Sequence, residues 1–385
     1  MKYYLWALFL ILNPFYFFES GNPQISDFLM FSMLVFSPSV ISLGIKRSPF
    51  STKSLFAFLT YTFLANGILY LVYITSYRGI PMLATVFYVY NIAVLFYVMG
   101  IANQNIRKFV VFTQWGIILS VGIQIGYYMV FGSYNYDILR PAFFFRTPNQ
   151  LGYYALIMLS AFVVLNKLNR INMVYFVAVF LSCLFMTLVS ASKAAVGGAL
   201  FLSVYYLFDS QMLKGYGLVA VLVIFSASYF FVFKSDQGSR QADYLLERVE
   251  QGTKEQNITE WEYRGYDRMS NHPKYLILGS GEGMYRRFKT YIHHHEMHSS
   301  FGNLLFSYGI PGFTLFLVFF FSLFKGLSIK TSLYIVPVIL YSFTHMGLRF
   351  TPLWILFALF PLIYSLSRYQ QYQAKIKINE KTQDT

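Results

Sequence analysis

The sequence contains very few charged residues and a single cysteine. Charged residues make up 12% of the 385 positions, and only 16 residues are acidic. The cysteine, Cys183, lies inside an apolar stretch, so it has no intrachain disulfide partner and is expected to be a small buried side chain. The mean hydropathy of +0.50 is far from that of a soluble globular domain. These features exclude a soluble enzyme and a disulfide-stabilised secreted domain.

Long apolar segments fill most of the chain and predict membrane-spanning helices. A helix of about 20 mostly apolar residues crosses a bilayer. The segments are continuously apolar rather than alternating, which argues against a β-barrel. The sequence therefore predicts an all-α, polytopic transmembrane helical bundle of about 12 spans, with about 11 as the alternative count. The predicted spans are 3–18, 27–45, 55–75, 80–100, 107–131, 151–165, 172–190, 194–208, 214–233, 299–324, 331–347 and 352–367.

The predicted spans divide the chain into four parts. Residues 1–233 hold about nine spans, and residues 234–298 form one long external loop. Residues 299–367 hold about three further spans, and residues 368–385 form a polar tail. We expect functional residues in the external loop, because ionisable side chains concentrate there rather than in the short connections between spans.

The net charge of +14 is explained by membrane topology rather than by nucleic-acid binding. With the N-terminus in the cytoplasm, 15 basic residues fall inside and only five on the short outer connections. The long loop carries the other ten basic residues and ten carboxylates, so it is nearly neutral. This asymmetry follows the positive-inside rule and places both termini in the cytoplasm, where basic residues also meet anionic lipid.

The external loop has a recognisable local pattern. Short helices are predicted at Ser239–Glu250 and at Thr259–Asn271, the second opening on a threonine cap. The second helix is expected to stop before Pro273. The run Gly279–Gly283 predicts a flexible turn. The loop also holds five of the six histidines.

Histidines at the end of the loop suggest two kinds of chemistry. His298 stands where the loop meets the next span, so it is a candidate general base, or else an ordinary hydrogen-bonded interfacial residue. The triplet His293 to His295 suggests a metal site by composition. Three consecutive side chains converge poorly on one ion, and no cysteine lies nearby, so no metal is predicted.

Several basic residues are candidates for binding a phosphate group. Arg264 and Arg268 share a face at i,i+4 spacing on the predicted helix, and paired guanidinium groups suit pyrophosphate. Surface salt bridges to Glu260 or Asp267 are the alternative explanation.

Further basic residues stand at the outer ends of predicted spans. They are Arg146, Lys193 and the pair His345 and Arg349. Placing a charged side chain at the depth of the membrane costs on the order of 2.5–3.5 kcal/mol of insertion free energy. Each of these residues therefore needs a partner or a function, or its side chain must extend to the membrane interface. In the predicted topology they all meet at one face. This suits a polyisoprenyl pyrophosphate whose tail lies between helices and whose attached sugar is transferred with the help of a base and cations.

One ordered set of short motifs carries a family resemblance between about residues 145 and 315. The motifs are Phe145–Gly152, Ser190–Ala194, Arg264, Gly279–Gly283, His298-Ser299 and Tyr308–Gly312. On this set the chain resembles the O-antigen polymerase and O-antigen ligase superfamily of bacterial membrane glycosyltransferases.

The resemblance implies a metal-independent, inverting transfer without a cofactor. Glycans would move from undecaprenyl pyrophosphate on the outer face of the bacterial inner membrane. It implies His298 as the base, and Arg264 and Lys193 as pyrophosphate contacts. Relatives of the ligase type usually carry arginine at the position of Lys193, and many have asparagine at that of Ser299. The first difference favours a polymerase over a ligase.

The sequence therefore predicts an enzyme that polymerises lipid-linked oligosaccharide units. His298 and Arg264 are the candidate catalytic residues, and the candidate pyrophosphate contacts are Arg146, Lys193, Arg268 and Arg349. Expected partners are undecaprenyl-pyrophosphate-linked glycans, membrane lipids and a chain-length regulator protein. Two alternatives are a ligase that transfers glycan to a lipid A core and a flippase without bond chemistry. A flippase is less favoured because no inverted repeat is evident.

Overall fold

A computed structural model describes residues 1–19, 21–73, 82–133, 140–209, 259–290 and 295–366. Every regular element in these ranges is helical, which confirms the all-α prediction. The span predicted at 214–233, the helix predicted at Ser239–Glu250, His293 and the tail 368–385 lie outside the described residues. The helices are α1 (Lys2–Leu12), α2 (Ile25–Val35), α3 (Pro38–Lys46), α4 (Thr52–Tyr73), α5 (Met82–Gln104), α6 (Ile106–Phe131), α7 (Pro148–Leu168), α8 (Met173–Val189), α9 (Lys193–Asp209), α10 (Glu260–Tyr263), α11 (Asp267–Asn271), α12 (Tyr275–Leu278), α13 (Ser300–Ser322), α14 (Ile329–Ser332), α15 (Val336–Ser342) and α16 (Thr351–Leu366).

Within the described residues, five helices are long and apolar enough to cross a membrane, namely α4, α5, α6, α7 and α13. Helices α2 and α3 meet at an angle of 79° and make a sixth span if they count together. The bend follows from Pro38, which starts α3 and cannot continue the hydrogen bonding of α2. These are the helices of a multi-pass membrane protein, but the count of about 12 spans is not confirmed. Helix α8, for example, has 17 residues, and at 1.5 Å per residue that is about 26 Å, less than a typical hydrocarbon core.

Helices α7 and α16 lie at the centre of the bundle. Most of their side chains are buried, including Tyr153, Tyr154 and Trp354. The outer helices instead expose large apolar side chains, such as Phe63, Ile68 and Leu71 on α4. An apolar outer surface around a packed centre is what a lipid environment requires, because lipid tails are as apolar as the side chains that face them.

Helix α13 is broken, and the loop segment before it fills the break. Gly309 has a φ of 62°, and Pro311 has no N–H to donate to the carbonyl of Ser307. The backbone N–H of Gly281 donates to that carbonyl at 2.8 Å instead. The two backbones approach so closely that a Cβ on Gly309 would lie 2.6 Å from the nitrogen of Gly279. The turn predicted at 279–283 is present, with positive φ at Gly279, Gly281 and Gly283, and the segment is packed into the bundle.

The helix predicted at Thr259–Asn271 is two short helices, α10 and α11. The chain turns between them at Gly265, whose φ of 79° is incompatible with a right-handed helix. The predicted threonine cap is present, since the Glu262 backbone N–H donates to the Thr259 hydroxyl at 3.3 Å. The predicted end is also correct, because α11 stops at Asn271. The shared helical face expected for the two arginines of this segment does not exist.

Candidate functional site

Polar groups gather at the end of the bundle where α7, α9, α13 and α16 begin. The loop segment 259–290 packs on this end through hydrogen bonds between distant parts of the chain. Arg264 Nη1 donates to the carbonyl of Thr344 at 2.9 Å, and the Tyr266 hydroxyl donates to that of Phe343 at 2.8 Å. These bonds hold the loop against the turn between α15 and α16, and so fix the position of Arg264.

His298 lies beside Arg264 at this end. Its backbone N–H donates to the Arg264 carbonyl at 2.9 Å, and its ring packs edge-on against Tyr263 with centroids 6.0 Å apart. Burial lowers the pKa of His298, and the positive charge of Arg264 lowers it further. The imidazole is therefore neutral near pH 7 and able to accept a proton. The structure thus brings together the two residues predicted to be catalytic.

Tyr341 connects this pair to a second arginine. Its hydroxyl donates to the carbonyl of Asn149 at 3.0 Å and lies 3.1 Å from the Ser192 hydroxyl. Arg140 donates to the Asn149 side chain at 3.0 Å and to the Ser190 carbonyl at 3.3 Å. Both Arg140 and Arg264 lie close enough to Tyr341 to interact with it electrostatically. Arg140 is thus a cation of this site that sequence reasoning did not select.

Lys193 is the first residue of α9 and directly follows Ser192. It is exposed, and its side chain makes no hydrogen bond or ion pair with any residue that the structure describes. Its place in the chain puts a further positive charge on the same side of the site. We refer to Arg140, Lys193, Arg264 and His298 as the basic face.

Arg146 does not join the basic face. Its guanidinium donates to the carbonyls of Phe17 and Phe18 at 3.0 and 3.1 Å. These bonds tie the start of α7 to the segment that follows α1. The role of Arg146 as a pyrophosphate contact stays a prediction, since its guanidinium is bonded to these backbone carbonyls.

Arg268 is fully buried inside the loop rather than paired with Arg264. It donates to the Thr290 hydroxyl at 3.3 Å and to the carbonyl of His295 at 2.5 Å. Its guanidinium also lies 5.1 Å from the centre of the Tyr285 ring. Burial lowers the pKa of Arg268. These contacts indicate a residue that holds the loop together, and they leave the predicted pyrophosphate role without support.

Arg349 lies between two carboxylates of the loop. It forms an ion pair with Glu282, and its Nη1 lies 2.7 Å from a carboxylate oxygen of Glu296. Glu282 is completely buried, and it also accepts hydrogen bonds from Asn303 at 2.9 Å and from the Tyr308 hydroxyl at 2.6 Å. An anion that binds Arg349 must therefore compete with carboxylates already in place.

Glu282 reaches this position because its segment fills the break in α13. The backbone N–H of Glu282 donates to the Asn66 side chain at 2.7 Å, which links the loop to α4. Asn66 in turn donates to the Tyr308 hydroxyl at 3.1 Å. The loop, α4, α13 and Arg349 are therefore joined through a single buried network of polar groups.

His345 lies between the basic face and the group formed by Arg349, Glu282 and Glu296. Its ring packs edge-on against Tyr153 and Tyr341, with centroids 5.4 and 5.6 Å apart. Burial, together with the nearby His298 and Arg264, lowers the pKa of His345 to about 4. The imidazole is neutral at physiological pH, so it adds no charge to either side of the site.

A cavity of about 730 Å³ lies beside Arg349 and Glu296. Its wall at the loop end includes Glu296, Arg349 and His345. Its other end is apolar and lies between α2 and α5, lined by side chains such as Phe31, Leu34, Val86 and Val89. His298, Arg264 and Lys193 are not part of this wall. The site therefore has two parts, the basic face and the cavity, with His345 between them.

No group of three metal-ligating side chains occurs in the part of the chain that the structure describes. Of the triplet His293 to His295, which suggests a metal site only by composition, the structure describes His295, and it is exposed. Its carbonyl accepts a hydrogen bond from Arg268.

Sequence reasoning did not select Arg140, Tyr341, Glu282 or Glu296 as site residues. Glu282 lies inside the glycine-rich motif, and this single carboxylate among glycines is the one sequence signal that could have identified it as a site residue. The chain matches no protein-family model and no curated protein. The function of the site is therefore inferred from its own residues and geometry, together with the motif resemblance.

Proposed function

We propose that the protein is a membrane glycosyltransferase that polymerises oligosaccharide units linked to undecaprenyl pyrophosphate into O-antigen or a related surface polysaccharide. The observation that supports this most is the basic face, where Arg264 lies beside a neutral histidine and Arg140 and Lys193 stand at the same end of the bundle. Cations stabilise a departing pyrophosphate, and a neutral imidazole accepts the proton of an attacking hydroxyl. In this proposal the face lies at the outer side of the bacterial inner membrane.

The reaction needs one base and one charged leaving-group site. The acceptor hydroxyl attacks the anomeric carbon, so a new glycosidic bond forms as the bond from that carbon to the pyrophosphate oxygen breaks. The electron pair leaves with undecaprenyl pyrophosphate, whose charge Arg264 and Arg140 compensate. His298 takes the hydroxyl proton and later releases it to water. Attack opposite to the leaving group inverts the configuration of the anomeric carbon.

Substitution of the two central residues tests this assignment. We expect His298→Ala to lower polymer formation by about 10²–10⁴-fold, the usual contribution of a general base, and Arg264→Ala to abolish it. Both variants should remain in the membrane at wild-type levels. His293→Ala is the matched control from the same histidine-rich run and should be tolerated. Normal chain lengths in the His298 variant would remove this residue from the mechanism.

Deletion of the gene separates the enzyme from its alternatives. Loss of a polymerase leaves surface core capped with a single repeat unit, visible on a gel. Loss of a ligase removes all capping and lets long lipid-linked polymer accumulate. Unchanged long surface chains would contradict both enzymes.

A further inference from the structure

The wall of the cavity has more acidic than basic side chains. Two carboxylates, Asp27 and Glu296, and one guanidinium, Arg349, line the cavity. That guanidinium is also paired with a third carboxylate, Glu282, behind the wall. Burial raises the pKa of Glu296, while His295 and the buried Arg268 also interact with it electrostatically. The balance opposes a phosphate in the cavity, whereas the basic face suits one.

Asp27 is fixed in place but can still accept hydrogen bonds. One carboxylate oxygen accepts from the Tyr90 hydroxyl at 2.8 Å, and the other accepts from the Gln24 backbone N–H at 2.8 Å. A carboxylate has about four acceptor positions, so each oxygen keeps capacity for another donor. Asp27 is partly exposed and lines the cavity. A ligand with hydroxyl groups can therefore donate to it.

Neutral polar and aromatic side chains also line the cavity. Gln24, Gln150 and the rings of Tyr16 and Tyr153 lie in its wall. A carboxylate or amide side chain can form two hydrogen bonds with neighbouring sugar hydroxyl groups. Aromatic rings pack against the apolar faces of sugar rings. The volume of about 730 Å³ is within the usual range for small-molecule sites.

We propose that the loop end of this cavity binds uncharged sugar hydroxyls of the acceptor glycan, with Asp27 and Glu296 as the principal hydrogen-bond acceptors. The term acceptor rests on the proposed glycosyltransferase function, but the binding itself does not. The arrangement separates two roles by charge. Pyrophosphate is held at the basic face, and the neutral glycan is held on the other side of His345.

A binding experiment tests the subsite directly. The probe is the neutral oligosaccharide released by mild acid from lipid-linked repeat units of the cells that make this protein. Binding to the protein in lipid nanodiscs is measured by equilibrium dialysis with a radiolabelled probe. Asp27→Asn and Glu296→Gln should each weaken binding by about 10-fold or more, since a neutral amide oxygen replaces a charged acceptor and an N–H donor replaces the second acceptor oxygen. Glu19→Gln removes an exposed carboxylate outside the cavity wall and should bind like the wild type.

A charged probe adds a second arm. The same oligosaccharide, with its primary hydroxyls oxidised to carboxylates, should bind the wild type more weakly than the neutral form. Asp27→Asn should reduce this difference, because it removes a like charge. Thermal unfolding of both variants checks that they are folded.

The outcomes distinguish the two proposals. Equal binding by the wild type and both variants, or binding of free polyprenol but not of the oligosaccharide, overturns the subsite while the proposed function stands. Binding that depends on Asp27 and Glu296 in a protein that forms no glycosidic bond supports the subsite and contradicts the proposed function. If both proposals hold, the two variants raise the KM for the acceptor and leave kcat nearly unchanged.

Discussion

Glu282 is a completely buried carboxylate, and within the described residues its side chain bonds to groups from other segments of the chain. Asn303 and Tyr308 on α13 donate to it, and Arg349 balances its charge. Taking a carboxylate out of water costs several kcal/mol unless opposite charge and hydrogen bonds replace the hydration. The sequence indicates that Arg349 needs a partner near the membrane. It does not indicate which one, because Glu282 precedes Arg349 by 67 residues.

Removal of Glu282 should be strongly destabilising. Glu282→Ala leaves Arg349 with one carboxylate and strands the polar groups of Asn303 and Tyr308, so we expect a loss of about 3–5 kcal/mol in unfolding free energy. Lys167→Ala breaks the more exposed pair with Asp209 and should cost under about 1 kcal/mol. Denaturant unfolding in detergent measures both. Similar losses for the two variants would show that the Glu282 network contributes little.

At the scale of elements, the break in α13 and the segment that fills it form one unit. The apolar pattern around Tyr308–Gly312 predicts a span but gives no sign that a loop enters it. Proline and glycine indicate an interruption of the helix. The backbone N–H that donates to the freed carbonyl of Ser307 belongs to Gly281, which lies in a remote segment. For this reason the position of the helix was predictable and the insertion of the loop was not.

Gly309→Ala tests this unit. The new methyl group meets backbone atoms at 2.6 Å, and an alanine at a φ of 62° is strained. We expect a loss of about 1–3 kcal/mol in unfolding free energy and increased proteolysis of the loop. Gly122→Ala in α6 is the matched control, since no atom lies within 4 Å of its added methyl group. That control should be neutral or stabilising by up to about 1 kcal/mol. Equal stability of both variants would contradict the close packing at Gly309.

At the scale of the whole molecule, composition predicted the class of protein well and its geometry poorly. Apolar runs located most helices, because helix length and hydropathy are local properties. They did not reveal that α2 and α3 meet at 79°. They also did not separate Arg146 and Arg268 from Arg264, since that division depends on carbonyl partners far along the chain.

The predicted topology can be measured with the native cysteine left in place. Cys183 is completely buried and should not react with a membrane-impermeant maleimide. Lys289→Cys lies on the exposed loop surface and should be labelled from outside in spheroplasts. Lys46→Cys, at the opposite end of the bundle, should be labelled only in inverted vesicles. The reverse pattern would place the basic face in the cytoplasm and contradict the proposed site of polymerisation.

The insertion of the loop into α13 also constrains how the protein is made. Glu282 leaves the ribosome before Asn303, Tyr308 and Arg349, all of which it needs as partners. Until Arg349 has been synthesised, the carboxylate has no cation to accompany it into the bundle. The loop therefore remains hydrated until the following helices have entered the bilayer, and it docks into the bundle as one of the last steps of biogenesis. A chain truncated between α13 and Arg349 should accordingly expose this segment to external protease.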